Sequence, residues 1–157
     1  MIGGVSKYFN DRGKPTLIDI TELDFEDIIT IKSNVMRYYY AFNPNITSVK
    51  FTKLKTVESY GLFKAFYNSG VSSVTFPKLE VIGDYGLNNA FTACGPIEIV
   101  NFPCLRSIGT EGLAEAFKYC NSITGIHFKA AYKSTIEATS GYSNKFGASN
   151  AAIYFDL

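Results

Sequence analysis

Tryptophan is absent from the chain, and histidine occurs once, at His127. Cysteine occurs three times, at Cys94, Cys104 and Cys120, with no Cys-x-x-Cys pair. With no such pair and a single histidine, no structural zinc site is expected. An odd cysteine count argues against a closed disulfide framework. The simplest reading is reduced thiols, mostly buried, which suits a cytoplasmic compartment. Apolar residues come at short intervals, with no run near the ~20 residues of a membrane-spanning helix, so no membrane insertion is expected. Residues 1–7 lack an apolar core of signal-peptide length, so no export signal is expected in this chain. Its location is then cytoplasmic, or a cell surface or virion if it belongs to a larger protein. Charge is scarce and balanced, with 15 Lys and Arg against 14 Asp and Glu, which gives no electrostatic footprint for nucleic acid.

Catalytic patterns are also missing. Nucleophilic catalysis needs a base beside Ser or Cys, and only His127 is a candidate. The Gly-x-x-Gly strings lack the Gly-Lys-Ser/Thr ending of a phosphate loop. Glu22 and Asp24 would lie roughly 7 Å apart on one strand face, within the range of a glycosidase carboxylate pair, but no cleft is implied. No enzyme and no cofactor is expected.

What is present is repetition, in a chain whose 157 residues and 46% hydrophobic content favour one domain with a continuous core. Ala-Phe occurs at Ala41-Phe42, Ala65-Phe66, Ala90-Phe91 and Ala116-Phe117. After each comes apolar-x-x-apolar-x-Phe: Ile46, Val49, Phe51; Val71, Val74, Phe76; Ile97, Val100, Phe102; Ile123, Ile126, Phe128. Three copies continue with Leu54 and Val57, Leu79 and Ile82, Leu105 and Ile108, then reach Gly61-Leu62, Gly86-Leu87 and Gly112-Leu113. Fainter copies lie at Ile20, Leu23, Phe25 and at Ile153, Phe155. Degenerate ends are what a stack of repeats needs where it meets water.

Val49-x-Phe51 and its equivalents alternate, so both side chains face one side of a strand. Leu62, Ala65 and Phe66 stand at i, i+3, i+4, which predicts a short helix after each strand. The glycine before each leucine is expected to permit a tight turn. No unit can bury its apolar face alone, but stacked units share one core. The expected fold is an α/β solenoid, a superhelix of about six rungs, each a parallel strand plus a short helix. Residues 1–19 form an N-terminal cap or lead-in, residues 20–157 the repeat domain, and a C-terminal cap begins at about 129.

The pattern apolar-x-x-apolar-x-apolar-x-x-Leu resembles the leucine-rich repeat, and by it the fold is expected to be right-handed. Gly83 to Cys94, read as Gly-x-x-Gly-Leu-x-x-Ala-Phe-x-x-Cys, and Val100 to Leu105 are similar to the BspA-type subfamily. Gly141 to Phe155 resembles a C-terminal cap of such proteins from gut bacteria and their phages. The resemblance covers about residues 20–128 and the final strand. It departs at Leu54, Leu79 and Leu105, where the usual leucine-rich repeat has Asn or Cys. It implies binding of a protein or a surface glycan, by adhesion or receptor recognition, and no enzymatic activity; a shared fold does not name the partner.

Between the inward positions, one outward column reads Asp24, Lys50, Thr75, Asn101, His127, Tyr154. Beside it run Glu22, Ser48, Ser73, Ile99 and Gly125. The column changes chemistry at every copy, as a contact surface does, and a merely solvated face varies too. Tyr38-Tyr39-Tyr40 is a second candidate, an aromatic hot spot, although the register requires apolar residues nearby and so takes at least one of the three into the core. Cys94 and Cys120 hold equivalent positions and are expected inside, with Cys104 nearer the surface. Two other functions fit the sequence: a phage- or mobile-element-encoded inhibitor of a host protein, and an assembly part that self-associates through the solenoid ends.

Overall fold

The structure, a computed structural model, describes residues 21–157. The lead-in expected at 1–19 and Ile20 of the first faint copy lie outside the described residues. The chain is an α/β fold with parallel strands in three sheets and few helices. The first sheet orders β1 (Glu22–Asp24), β3 (Ser48–Lys50) and β5 (Ser73–Thr75). The second runs β7 (Ile99–Phe102), β9 (Gly125–Phe128), β10 (Ala152–Phe155). The third joins two-residue strands: β2 (Thr30–Ile31), β4 (Thr56–Val57), β6 (Val81–Ile82) and β8 (Ser107–Ile108). Within each sheet a strand pairs with its equivalent one repeat later, as in Val49 with Val74 and Val100 with Ile126.

The inward residues make two files of rings. Phe25, Phe51, Phe76, Phe102 and Phe128 stack with centroids 4.9, 5.3, 5.4 and 5.5 Å apart. Tyr40, Phe66, Phe91 and Phe117 form the second file, at 5.3, 5.3 and 5.8 Å. All nine rings are buried, each worth roughly 1.5–3 kcal/mol by area alone. Leu54, Leu79 and Leu105 are fully buried beside them.

Three expectations need correction. The first is the short helix in each copy. Residues 59–68 and their equivalents are turns, and the only α-helix among the described residues is α1 (Lys133–Glu137). Alternate amides bond differently here. Gly61, Phe63, Ala65 and Tyr67 donate to the carbonyl three residues back, whereas Tyr60, Leu62, Lys64, Phe66 and Asn68 donate to carbonyls of the next copy, from Asp84 to Thr92. Every fourth residue is left-handed: Asn34, Tyr38, Phe42; Tyr60, Lys64, Asn68; Tyr85, Asn89, Ala93; Glu111, Glu115, Tyr119, all with φ between 50 and 63°. An α-helix of L-residues excludes that geometry. The i, i+3, i+4 stripe is genuine, but this layer of linked turns returns to the core with the same spacing.

The second concerns Ala41-Phe42, which is not the first Ala-Phe pair in space. Tyr40 occupies the Phe66 position, and Phe42 takes the left-handed position of Asn68 and is 64% exposed. The third concerns the glycines before each leucine. Gly61, Gly86 and Gly112 have no positive φ. A Cβ on Gly61 would come within 2.9 Å of Val57 Cγ1 and 3.0 Å of the Glu58 carbonyl oxygen. They provide room against the preceding strand, not a special turn.

The first and second sheets are not hydrogen-bonded to each other, because the ladder lapses between β5 and β7. The break follows the Gly95–Ile97 turn, closed by the Ile97 amide on the Gly95 carbonyl at 2.7 Å, whose central Pro96 has no amide to donate. Phe76 and Phe102 stack across it regardless. Beyond residue 129 the chain covers the end of both ring files. Phe146 meets Phe128 edge-on at 5.9 Å, and its carbonyl accepts the Phe117 amide at 3.0 Å.

Candidate functional site

Register places the outward column in two halves. Asp24, Lys50 and Thr75 are adjacent on the first sheet; Asn101, His127 and Tyr154 are adjacent on the second. The lapse between β5 and β7 separates them. In the first half Lys50 pairs with Glu22, whose hydrogen bond and charge raise the lysine's pKa. Asp24 is half-buried, and its Oδ1 has no hydrogen-bond partner among the described residues. Thr75 is exposed.

The second half is more organised. The His127 imidazole stacks on the Tyr154 ring at 4.6 Å, and its Nδ1 meets Asp156 Oδ1 at 2.9 Å. It also lies over Gly125, where a Cβ would stand 2.6 Å from Nε2. Gly125 therefore interrupts the neighbouring column because the imidazole needs its space. Ile99, 53% exposed, and Asn101 complete this end of the face. Asp156 was not evident from sequence, since it follows its strand rather than sharing the column.

The Tyr38-Tyr39-Tyr40 run divides. Tyr40 is in the core, Tyr39 is half-buried and Tyr38 is 46% exposed. Tyr38 belongs to a larger group that the sequence does not announce. It meets Phe63 edge-on at 5.6 Å, Phe63 lies 5.5 Å from Tyr60, and Tyr60 stacks on Tyr85 at 4.9 Å. Phe42 meets Tyr67 edge-on at 5.5 Å. Two cations lie among the rings: Arg37 over Phe63 at 4.9 Å, and Lys64 5.4–5.7 Å from Tyr38, Phe63 and Tyr67. These residues come from the turn layer, and the left-handed positions Tyr38, Phe42, Tyr60, Lys64 and Tyr85 bring them to one surface.

The chain matches no family model, no curated protein and no solved structure. Its chemistry rests on its own residues. Burial pushes the Cys94 thiol up to about 12 and the Cys120 thiol up to about 11. Their Sγ atoms donate to the Phe66 and Phe91 carbonyls, at 3.1 and 3.0 Å. Such thiols are not thiolates at neutral pH. Cys104, half-buried, lies 3.4 Å from the Pro77 carbonyl. Among the described residues, no hydroxyl or thiol is hydrogen-bonded to His127, and no group of three or more His, Cys, Asp or Glu is placed to hold a metal ion. No described helix is long and apolar enough to cross a membrane. Exposed rings, cations and short polar side chains on a fixed backbone can bind a surface.

Proposed function

We propose that the chain is a leucine-rich-repeat-type solenoid of about six turns, similar to the BspA-type subfamily, that acts as a non-catalytic recognition module for another protein or a surface glycan. Pairing of strands with their equivalents one repeat on, within each sheet, supports the solenoid, with linked turns in place of the short helices. The observation that carries the function is a contrast between inside and outside. Inward positions keep one residue type from copy to copy, as in Phe51, Phe76, Phe102 and Phe128, while outward positions in register with them read Lys50, Thr75, Asn101 and His127. A stack built this way holds different side chains at fixed spacings, which lowers the entropy lost on binding.

The test is capture of partners by the purified chain, from extracts and from a glycan panel. It is repeated with Lys50, Asn101 and His127 changed to Ala. A saturable partner of defined stoichiometry supports the reading. Turnover of a substrate by the purified chain, or the absence of any specific partner, would sink it.

A further inference from the structure

We infer that the turn layer of the first three copies carries a docking surface for an acidic protein segment, centred on Arg37 and Lys64 and framed by Tyr38, Phe42, Phe63 and Tyr67. The inference rests on the recognition reading above and adds the place and the partner's charge.

Charge accounting comes first. Most lysines and arginines near carboxylates are already paired: Lys32 with Glu58, Lys53 with Asp27, Lys55 and Arg106 with Glu80, Lys118 with Glu115. Arg37 and Lys64 have no carboxylate within ion-pair distance among the described residues; their neighbours are ring faces. Acids at the margin are committed elsewhere. Glu58 accepts from Lys32 and Ser33, and Asp84 accepts the Thr110 amide at 2.7 Å. The centre of the surface thus holds two cations without counter-charge, each held over an aromatic quadrupole that fixes its position.

The rings supply the second argument. Phe42 and Tyr38 are exposed apolar bodies held on edge against Tyr67 and Phe63, at interplanar angles of 64 and 70°. Aromatic side chains with few rotors, set around arginine and lysine, are the composition of protein-binding anchors. A sugar ring stacks on an open aromatic face, whereas Arg37 or Lys64 already lies over a face of Tyr38, Phe63 and Tyr67. A nucleic-acid backbone would meet two cations here and then acidic ground, because Glu111 lies close enough to Tyr85 to raise its phenol's pKa. Short peptides that alternate acidic and apolar residues match both the charge and the rings.

The experiment uses the full chain against an array of 12-residue peptides. One set mixes Glu and Asp with Leu and Tyr; two others replace the acids by Gln or by Lys. A heparin-derived hexasaccharide is the glycan probe, and sedimentation without peptide reports self-association. Retention on the acidic set, weakening as salt rises, is expected. Arg37→Glu with Lys64→Glu should lower the affinity at least roughly tenfold, and Arg37→Gln with Lys64→Gln by less. Unchanged melting of each variant shows that the fold is kept. Equal retention on the Gln set, no retention on any peptide, or retention by the hexasaccharide alone would overturn the inference. So would a dimer that only the Arg37 and Lys64 changes dissolve. Acidic peptides held by the Arg37 and Lys64 variant but lost on changing Lys50, Asn101 and His127 to Ala would sink this surface while leaving the recognition reading intact.

Discussion

The strand layer and the turn layer solve one problem in two ways. Both bond each copy to the next through the backbone, and both send a file of rings inward. The strand layer does so with extended backbone, which any residue adopts. The turn layer does so with a left-handed residue at every fourth position, and none of the twelve in the four copies is glycine. Left-handed backbone costs a non-glycine residue roughly 1–2 kcal/mol. The turn layer is therefore held by its neighbours, through inter-copy bonds such as Leu62 to Gly86 at 2.8 Å and Phe66 to Ala90 at 2.9 Å, rather than by local preference. The difference teaches that regular packing does not require residues suited to their own backbone.

The sharpest way to break this comparison is to remove one ring from each file. Phe76→Ala and Phe91→Ala should each destabilise by about 3–5 kcal/mol, measured by denaturant unfolding. A cost under about 1 kcal/mol for Phe91→Ala alone would make the turn layer a loose cover rather than half of the core. Two nearby alanines give a smaller effect with opposite signs. Ala90 is buried with ordinary φ, and Ala90→Gly should cost about 1–2 kcal/mol through backbone freedom and a lost methyl. Ala93 has φ 54°, so Ala93→Gly should be neutral or stabilise by up to about 1 kcal/mol. Equal losses at both sites would remove left-handed strain as the feature that separates the layers.

The smallest effect at neutral pH concerns Cys94. Its folded pKa is raised from an ordinary 9.0 to about 12 by burial. The folded state keeps the proton that the unfolded chain releases. The thiol's stabilising contribution is therefore complete below about pH 9 and is lost as pH rises from there toward 12. Cys94→Ala should unfold with a shallower fall in stability between pH 8 and 10.5 than the parent chain. Identical slopes would show that burial does not hold the proton.

The strand layer was legible because side-chain alternation and a fixed Phe declare it. Phe102, Phe128 and the outward column from Asp24 to Tyr154 stand on strands, and Phe51 and Phe76 directly after theirs, where the period-2 pattern puts them. The turn layer carries the signature of a helix, because Leu62, Ala65 and Phe66 would look the same on either backbone. Tyr60 and Lys64 give no sign of left-handed backbone, and asparagine, which tolerates it, stands at only three of the twelve positions, Asn34, Asn68 and Asn89. The first copy misled further, since Ala41-Phe42 imitates the motif while Tyr40 fills the slot. The aromatic group around Arg37 and Lys64 was hidden for the same reason. Its members come from three successive copies, and only the correct register and the left-handed turns bring Tyr38, Phe63 and Tyr85 together.

The left-handed positions have a last consequence for how such a chain could diversify. None of the twelve is buried. They hold Asn, Tyr, Phe, Lys, Ala and Glu in no fixed order. Each is a peg on a board whose holes are drilled by the backbone, and swapping a peg leaves the board untouched. A lineage could redraw this surface one peg at a time and never disturb the rings beneath it.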